Sequence, residues 1–251
     1  MAAYYNDSDP YCIGWIRNLM KAGLIPDGEV DSRSIRDVQA DDVRGFAQCH
    51  WFAGIGGGGY ACRLAGLPDD APIWTGGPPC QDNSTAAAIH GKREGLRGER
   101  SGLAHTWLDL VGACRPHRVL FENVVGVAPW IAEIVGRLEG LGYRVSRRRG
   151  TAAAVGAPHP RRRVWVSAHL DGARLEAPRQ AGPSAAVRGA GAAAARDPWD
   201  PDQSWGGVLD DGLSARLAGV RSRVVHGFGN AWVPQAAAEI LRAMMTTENG
   251  G

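Results

Sequence analysis

Lysine is almost missing from this chain. Lys21 and Lys92 are the only two among 251 residues, so nearly all the basic charge is carried by arginine. Part of that bias, together with the many alanines and glycines, is compositional drift, and the net charge is only +2. Paired cysteines are missing too. The five cysteines, at 12, 49, 62, 80 and 114, form no CxxC pair, and no signal peptide is visible. A disulfide scaffold is therefore not expected, and a reducing cytoplasm is. No apolar run reaches the roughly 18 residues that a membrane-spanning helix needs. What is present in quantity is hydrophobic residue, 44% of the chain, enough for a real core in one domain of moderate size with room for a small accessory region.

The most distinctive stretch is Trp74-Thr75-Gly76-Gly77-Pro78-Pro79-Cys80-Gln81. A strand-like run from Pro72 enters two glycines and two prolines, which together shape a stiff loop. That loop delivers a single cysteine at a strand exit, where it serves either as a nucleophile or as a buried structural thiol.

Taken in order, the chain opens on Tyr4-Tyr5-Asn6-Asp7-Ser8-Asp9-Pro10, followed by helical spacing from Tyr11 to Met20 with Gly23 as its stop. Asp7 and Asp9 read locally as helix-capping acids. Residues 26–44 are polar, and Asp37 stands there as an ordinary loop acid. Phe46 to Phe52 reads as a buried strand, Ala53 to Gly59 as a glycine turn and Tyr60 to Ala65 as a helix. This is the geometry that brings a nucleotide-like ligand to backbone N–H groups, although the full GxGxxG pattern is absent and a plain tight turn explains the glycines equally. Residues 82–102 form a long polar loop of the kind that closes over substrate. A helix follows at Leu103–Val111, then a strand at Arg118–Phe121 ending in Glu122-Asn123-Val124. A carboxyl at the end of an apolar strand is costly unless hydrogen-bonded or used. An amphipathic helix spans Ile131 to Leu141. Seven arginines then fall within twenty residues, at 144, 147, 148, 149, 161, 162 and 163, which suggests a phosphate-facing surface, part of it simply solvated. A strand at Val164–Val166 follows. Residues 172–200 are low in complexity. A final helix is expected over Gln235–Met245, with a frayed tail at 247–251.

These separate features have a common explanation. Phe52-Ala53-Gly54-Ile55-Gly56-Gly57, Gly76-Gly77-Pro78-Pro79-Cys80-Gln81, Glu122-Asn123-Val124, Pro158-His159-Pro160-Arg161-Arg162-Arg163, and Gly229-Asn230-Ala231 with Pro234 follow one another over residues 52–234. In that order and spacing the chain resembles the DNA cytosine-5 methyltransferase family, in the small form found in phages and prophages. The resemblance implies an α/β, Rossmann-like methyltransferase fold, with a mostly parallel sheet, helices on both faces and a reduced recognition region. Residues 1–170 plus 208–246 would form the catalytic domain, with 171–207 as a reduced target-recognition region or linker. It implies S-adenosylmethionine as cofactor, S-adenosylhomocysteine as product and no metal. It also implies double-stranded DNA with one cytosine flipped out as substrate. Cys80, Glu122, Arg161 and Arg163 take the catalytic positions. The Phe52–Gly57 turn (Phe52, Ala53, Gly54, Ile55, Gly56 and Gly57), Pro79, Asn230 and Ala231 take the cofactor positions. Ser84 and Arg100 would contact the nucleic-acid backbone.

Three departures from the family's pattern stand out. Only 22 residues separate Gly57 from Cys80, too few for the two strands that normally carry the ribose and adenine acids. Asn6-Asp7-Ser8-Asp9-Pro10 and Ile35-Arg36-Asp37-Val38 resemble those strands' ends. The expectation is a local circular permutation, with Asp7 toward the ribose and Asp37 toward the adenine amine. Fewer than 70 residues are left for target recognition before Gly229. Recognition by loops or by an additional protein is then open, as is a monomer. His159 and Asn83 replace residues usual in the family. Rival readings are a relative that transfers another group or modifies another pyrimidine, and a catalytically silent DNA-binding subunit of a modification complex.

Overall fold

The computed structural model describes residues 3–79, 102–157, 160–170 and 231–249. The elements run β1 (Ala3–Asn6), α1 (Pro10–Lys21), β2 (Gly28–Asp31), a 3-10 turn (Ile35–Asp37), α2 (Ala40–Val43), β3 (Gln48–Trp51), α3 (Gly57–Ala65) and β4 (Ile73–Gly76). They continue with α4 (Leu103–Cys114), β5 (Arg118–Val124), α5 (Ala128–Gly140), β6 (Arg144–Gly150), a second 3-10 turn (Ala152–Val155), β7 (Arg163–His169) and α6 (Pro234–Asn249). The helix starts and stops have local causes. Asp9 caps α1 by accepting from the Tyr11 N–H at 2.9 Å, Pro10 occupies its first turn, and Gly23 leaves it at φ 67°. Pro129 lies in the first turn of α5, whose exit is turned by Gly142 at φ 84°. α6 extends past Met245 as far as Asn249, so most of the tail expected to fray is helical in the backbone.

One seven-stranded sheet runs in the order β2-β1-β3-β4-β5-β7-β6. β2, β1, β3, β4 and β5 are mutually parallel; β7 runs antiparallel to both β5 and β6. Three of these strands, β1, β2 and β6, were not legible as strands from local pattern. β1 is buried at every position, so it lacks the alternation that marks a half-exposed strand. β6 is the sheet edge and carries Arg144, Arg147, Arg148 and Arg149, all exposed, so it reads as a solvated basic cluster. Charged side chains on an edge also discourage further strand pairing.

Helices cover both faces. On one, Trp51, Trp74, Phe121 and Val166 pack with Trp107 and Leu108 of α4 and Ile131 and Ile134 of α5. On the other, Ile73, Leu120 and Trp165 pack with Ala61 and Cys62 of α3 and Leu241 of α6. Tyr5 packs there beside Ile16 of α1. A buried polar row crosses this second face. His50 contacts Thr75 Oγ1 at 2.8 Å and Gln48 Oε1 at 3.2 Å, and the Gln48 amide donates to the Pro68 carbonyl at 3.0 Å. Burial pushes the His50 pKa down to about 3, so the ring is neutral. α3 lies almost on the sheet at this point: a Cβ on Gly58 would sit 2.5 Å from Thr75 Oγ1. Glycine there lets the helix close on the strands and sets where the turn before it points.

Candidate active site at the carboxyl edge of the sheet

Strand register assembles the site. Asn6 pairs with Trp51, Trp51 with Gly76 and Gly76 with Phe121, one row across four parallel strands. The next residues on these strands are Asp7, Phe52, Gly77 and Glu122. Segments far apart in sequence therefore leave the sheet side by side at their carboxyl ends. This is where open α/β sheets bind ligands, at the point where connections diverge on either side.

On the β1–β3 side, Asp7 reaches across to the glycine turn. Its Oδ2 accepts from the Gly54 N–H at 2.8 Å, and its Oδ1 accepts from the Asp9 N–H at 2.9 Å. The turn itself has strained backbone. Phe52 sits at φ 50°, an uncommon state for a bulky residue, with Gly54 at φ 54° and Gly56 at φ 83°. Phe52, Ala53, Gly54 and Ile55 are half-buried, whereas Gly56 and Gly57 are buried at the start of α3. A reachable turn with a carboxylate on one side and a helix N-terminus on the other fits a ligand bearing ribose hydroxyls and a carboxylate. Asp37 lies exposed on the 3-10 turn after β2, one strand further from the glycine turn than Asp7. The acid at the end of β2 is Asp31. It is buried and accepts from the Tyr4 hydroxyl at 2.6 Å and from Arg33 Nη2 at 2.7 Å. Burial opposes its ionisation, but the hydrogen bonds from Arg33 and Tyr4 outweigh burial and leave its pKa below the ordinary value. Asp31 thus locks β2 to β1, and nothing in its local sequence singled it out.

On the β5–β7 side, Glu122 is 7% exposed, with Arg163 Nε 2.6 Å from its Oε1. The two form a close ion pair that is shielded from solvent on both sides. Burial pushes the Glu122 pKa up to about 7, against the opposing pull of Arg163 and Arg161. At neutral pH this carboxyl is poised between its two forms. Arg161 has a left-handed backbone, φ 29°, and donates from Nη2 to the Ala231 carbonyl. Its pKa is lowered by burial and by the neighbouring Arg163. Asn123 turns away from Glu122 and serves the loop: its Nδ2 donates to the Pro78 carbonyl at 2.9 Å, and its Oδ1 accepts from the Val124 N–H at 2.8 Å. The segment leading to the cysteine is thereby tied to the acid's strand.

Ala231 is buried beside Trp232, whose ring meets Trp165 edge-on at 5.0 Å between centroids. Trp232 did not stand out in the sequence, because an indole after Gly-Asn-Ala has no local signature. Pro79 is half-buried at the end of a described segment. Cys80, Ser84, Arg100, His159 and Asn230 lie outside the described residues, as do the whole expected recognition region, 171–207, and residues 208–230. Among the described residues, no cluster of His, Cys, Asp and Glu could hold a metal ion, and no helix is long and apolar enough to cross a membrane.

Comparison with known proteins bears on this geometry. Type II methyltransferase M.AgeI of Thalassovita gelatinovora is 34% identical over 120 residues, covering 46% of this chain and 27% of that protein. Type II methyltransferase M.AplI of Arthrospira platensis is 36% identical over 110 residues, covering 42% and 30% respectively. The chain spans less than a third of the length of these two curated relatives. A solved methyltransferase of Entamoeba histolytica, EhMeth, aligns with a TM-score of 0.48 and 16% identity over 69% of this chain and 46% of that one. Residues 52–188 match the family described as C-5 cytosine-specific DNA methylase, and the sheet is the Rossmann-like, mostly parallel α/β fold of S-adenosylmethionine-dependent methyltransferases. That match takes in the glycine turn, the Pro-Pro-Cys loop, Glu122 and both arginines across more than half of the chain; the chain belongs to the C-5 cytosine-specific DNA methylase family.

Proposed function

We propose that the protein methylates C5 of a cytosine flipped out of double-stranded DNA, through a transient covalent bond between Cys80 and the base. The observation that carries this reading is Glu122: a buried carboxyl, raised to about 7, on the same sheet edge as the glycine turn and on the strand whose Asn123 ties down the loop before Cys80. A carboxyl with that pKa can donate a proton or a hydrogen bond at neutral pH.

C5 of cytosine is a weak nucleophile, so the ring must first be activated. The Cys80 thiolate adds to C6, and the C5–C6 π electrons move into an enamine. Glu122 holds N3 with its proton and stabilises the negative charge that develops on the ring. Arg163 braces Glu122, and Arg161, anchored on the Ala231 carbonyl, faces the base carbonyl or the target phosphate. Asp7, the Phe52–Gly57 turn, Pro79, Asn230 and Ala231 would hold S-adenosylmethionine, which supplies the methyl group as a sulfonium electrophile. Loss of the C5 proton to a base then expels the Cys80 thiolate and restores the aromatic ring. Base flipping is required because C6 is shielded within a stacked duplex. The exposed arginines of β6 contact phosphates.

We also read the N-terminal segment as a local permutation. β1 and β2 precede the glycine turn in the chain, yet β1 lies beside β3 in the sheet with β2 outside it, which supports Asp7 as the ribose acid. Asp37 is kept as the adenine-side acid of this proposal, with its exposed position the weaker support. Residues 1–170 with 208–246 would make up the catalytic domain, leaving 171–207 as a minimal recognition region.

The test is incubation with labelled S-adenosylmethionine and mixed-sequence DNA, followed by nucleoside analysis. 5-Methylcytosine is the expected product, and any other modified base overturns the plain methyl reading. DNA containing 5-fluorocytosine should trap the protein covalently, because fluorine cannot leave as a proton does. Failure of Cys80→Ala to abolish trapping overturns the covalent route.

A further inference from the structure

Trp232 touches both halves of the site. A Cβ placed on Gly57, in the first turn of α3, would lie 3.1 Å from Trp232 Cβ. A Cβ placed on Gly77, just after β4, would lie 3.0 Å from Trp232 Nε1. Both separations are tighter than side chains tolerate without movement, so Trp232 packs against both glycines, its Cβ and backbone at Gly57 and its indole ring at Gly77. Each glycine belongs to a different functional segment: Gly57 to the cofactor turn, Gly77 to the loop that leads to Cys80. A third contact closes the arrangement. Trp232 meets Trp165 edge-on, with rings inclined at 82°, and Trp165 is the cross-strand partner of Glu122. The backbone just before the indole is held by Arg161, which donates to the Ala231 carbonyl.

The geometry points to Trp232 as a positioning residue that couples occupancy of the cofactor turn to the placement of the cysteine loop. α3's first turn bears on the Trp232 backbone and Cβ, and the indole is rigid with two side-chain torsions, so displacement of that turn is passed through the ring to Gly77 rather than absorbed. On the far side, Asn123 holds the Pro78 carbonyl at 2.9 Å, so the loop is pinned between Trp232 and the Glu122 strand. Cofactor on the turn would thereby set the thiol's access and reactivity. Coupling of this kind is reciprocal, typically a 5- to 150-fold effect.

This inference rests on the methyltransferase reading, and the experiment separates the two. Binding of S-adenosylhomocysteine is measured by calorimetry, and Cys80 alkylation by iodoacetamide is followed by peptide mass spectrometry, with and without S-adenosylhomocysteine. Absence of S-adenosylhomocysteine binding by the wild type would sink the methyltransferase reading itself. With binding present, the wild type should show a change of at least about fivefold in the Cys80 alkylation rate on saturation. An unchanged rate overturns the coupling. Trp232→Phe should keep S-adenosylhomocysteine binding within roughly tenfold of wild type yet reduce the ligand effect on Cys80 to less than about twofold. A purely structural role would lower melting temperature or affinity and leave that ratio intact, and such a result overturns the proposal. Gly77→Ala attacks the same contact from the loop side. It should reduce the coupling in the wild type and matter less in the Trp232→Phe background; strict additivity of the two overturns the direct contact.

Discussion

The two flanks of the sheet use carboxylates in opposite ways. On the β1–β3 flank, Asp7 spends its oxygens on backbone N–H groups, at Gly54 and Asp9. On the β5–β7 flank, Glu122 is nearly enclosed, is paired with the Arg163 guanidinium, and is raised to about 7 by burial. Both acids stand at the ends of parallel strands one row beyond the same register line. Position in the fold is thus shared, and environment separates the tasks. A carboxylate engaged by backbone amides holds a turn in place; one whose charged form is penalised by burial is poised to exchange a proton.

The sharpest way to break this contrast is Glu122→Gln. Methyl transfer should fall about 10²- to 10⁴-fold, the usual range for loss of a positioned acid or base, while S-adenosylhomocysteine affinity, measured by calorimetry, stays within about threefold. The wild-type kcat/KM should decline as pH rises through about 7, and Glu122→Gln should remove that limb. Stability carries the same sign. The folded pKa lies above the ordinary 4.5, so the stability linked to this group is present at low pH and lost as pH rises through about 7.

Next in size is Asp7→Ala, which tests the opposite flank. Loss of the carboxylate at the glycine turn should raise the Kd for S-adenosylhomocysteine about tenfold, some 1.4 kcal/mol, with kcat at saturating cofactor nearly unchanged. Equal losses in both variants would erase the division of labour. Gly58→Ala probes what brings the turn to the sheet. Its new methyl would meet Thr75 Oγ1 at 2.5 Å, and overpacking of this kind should cost about 1–3 kcal/mol in urea denaturation. The smallest effect is expected from replacing Arg147, Arg148 and Arg149 with glutamine. Nonspecific DNA affinity should weaken, and the slope of log K against log salt should flatten by about 0.9 for each phosphate that is no longer neutralised. An unchanged slope would return β6 to a merely solvated edge.

Much of the candidate site was legible as motifs in order along the chain. Glycine turn, Pro-Pro-Cys loop, Glu-Asn-Val and the arginine segment are short, rigid motifs whose chemistry depends on adjacent residues. Their strands were legible where apolar runs were long enough, as at Arg118–Val124. β1 and β2 were not, being four residues each, one wholly buried and the other polar. β6 was hidden by its own arginines. Asp31, Trp232 and the loop-holding hydrogen bond from Asn123 to Pro78 depend on partners between about 20 and 200 positions away or on burial, and a local window contains neither.

By itself, then, the amino-acid order determined which chemical groups are available and which family they belong to, because short motifs keep their chemistry wherever they are placed. Only the tertiary structure decided how those groups are brought together and what surrounds each. Parallel register put Asp7, Phe52, Gly77 and Glu122 on one edge although 115 positions separate the first from the last. Burial against Arg163 and Arg161, a property of packed strands rather than of any neighbouring residue, set the proton affinity of Glu122.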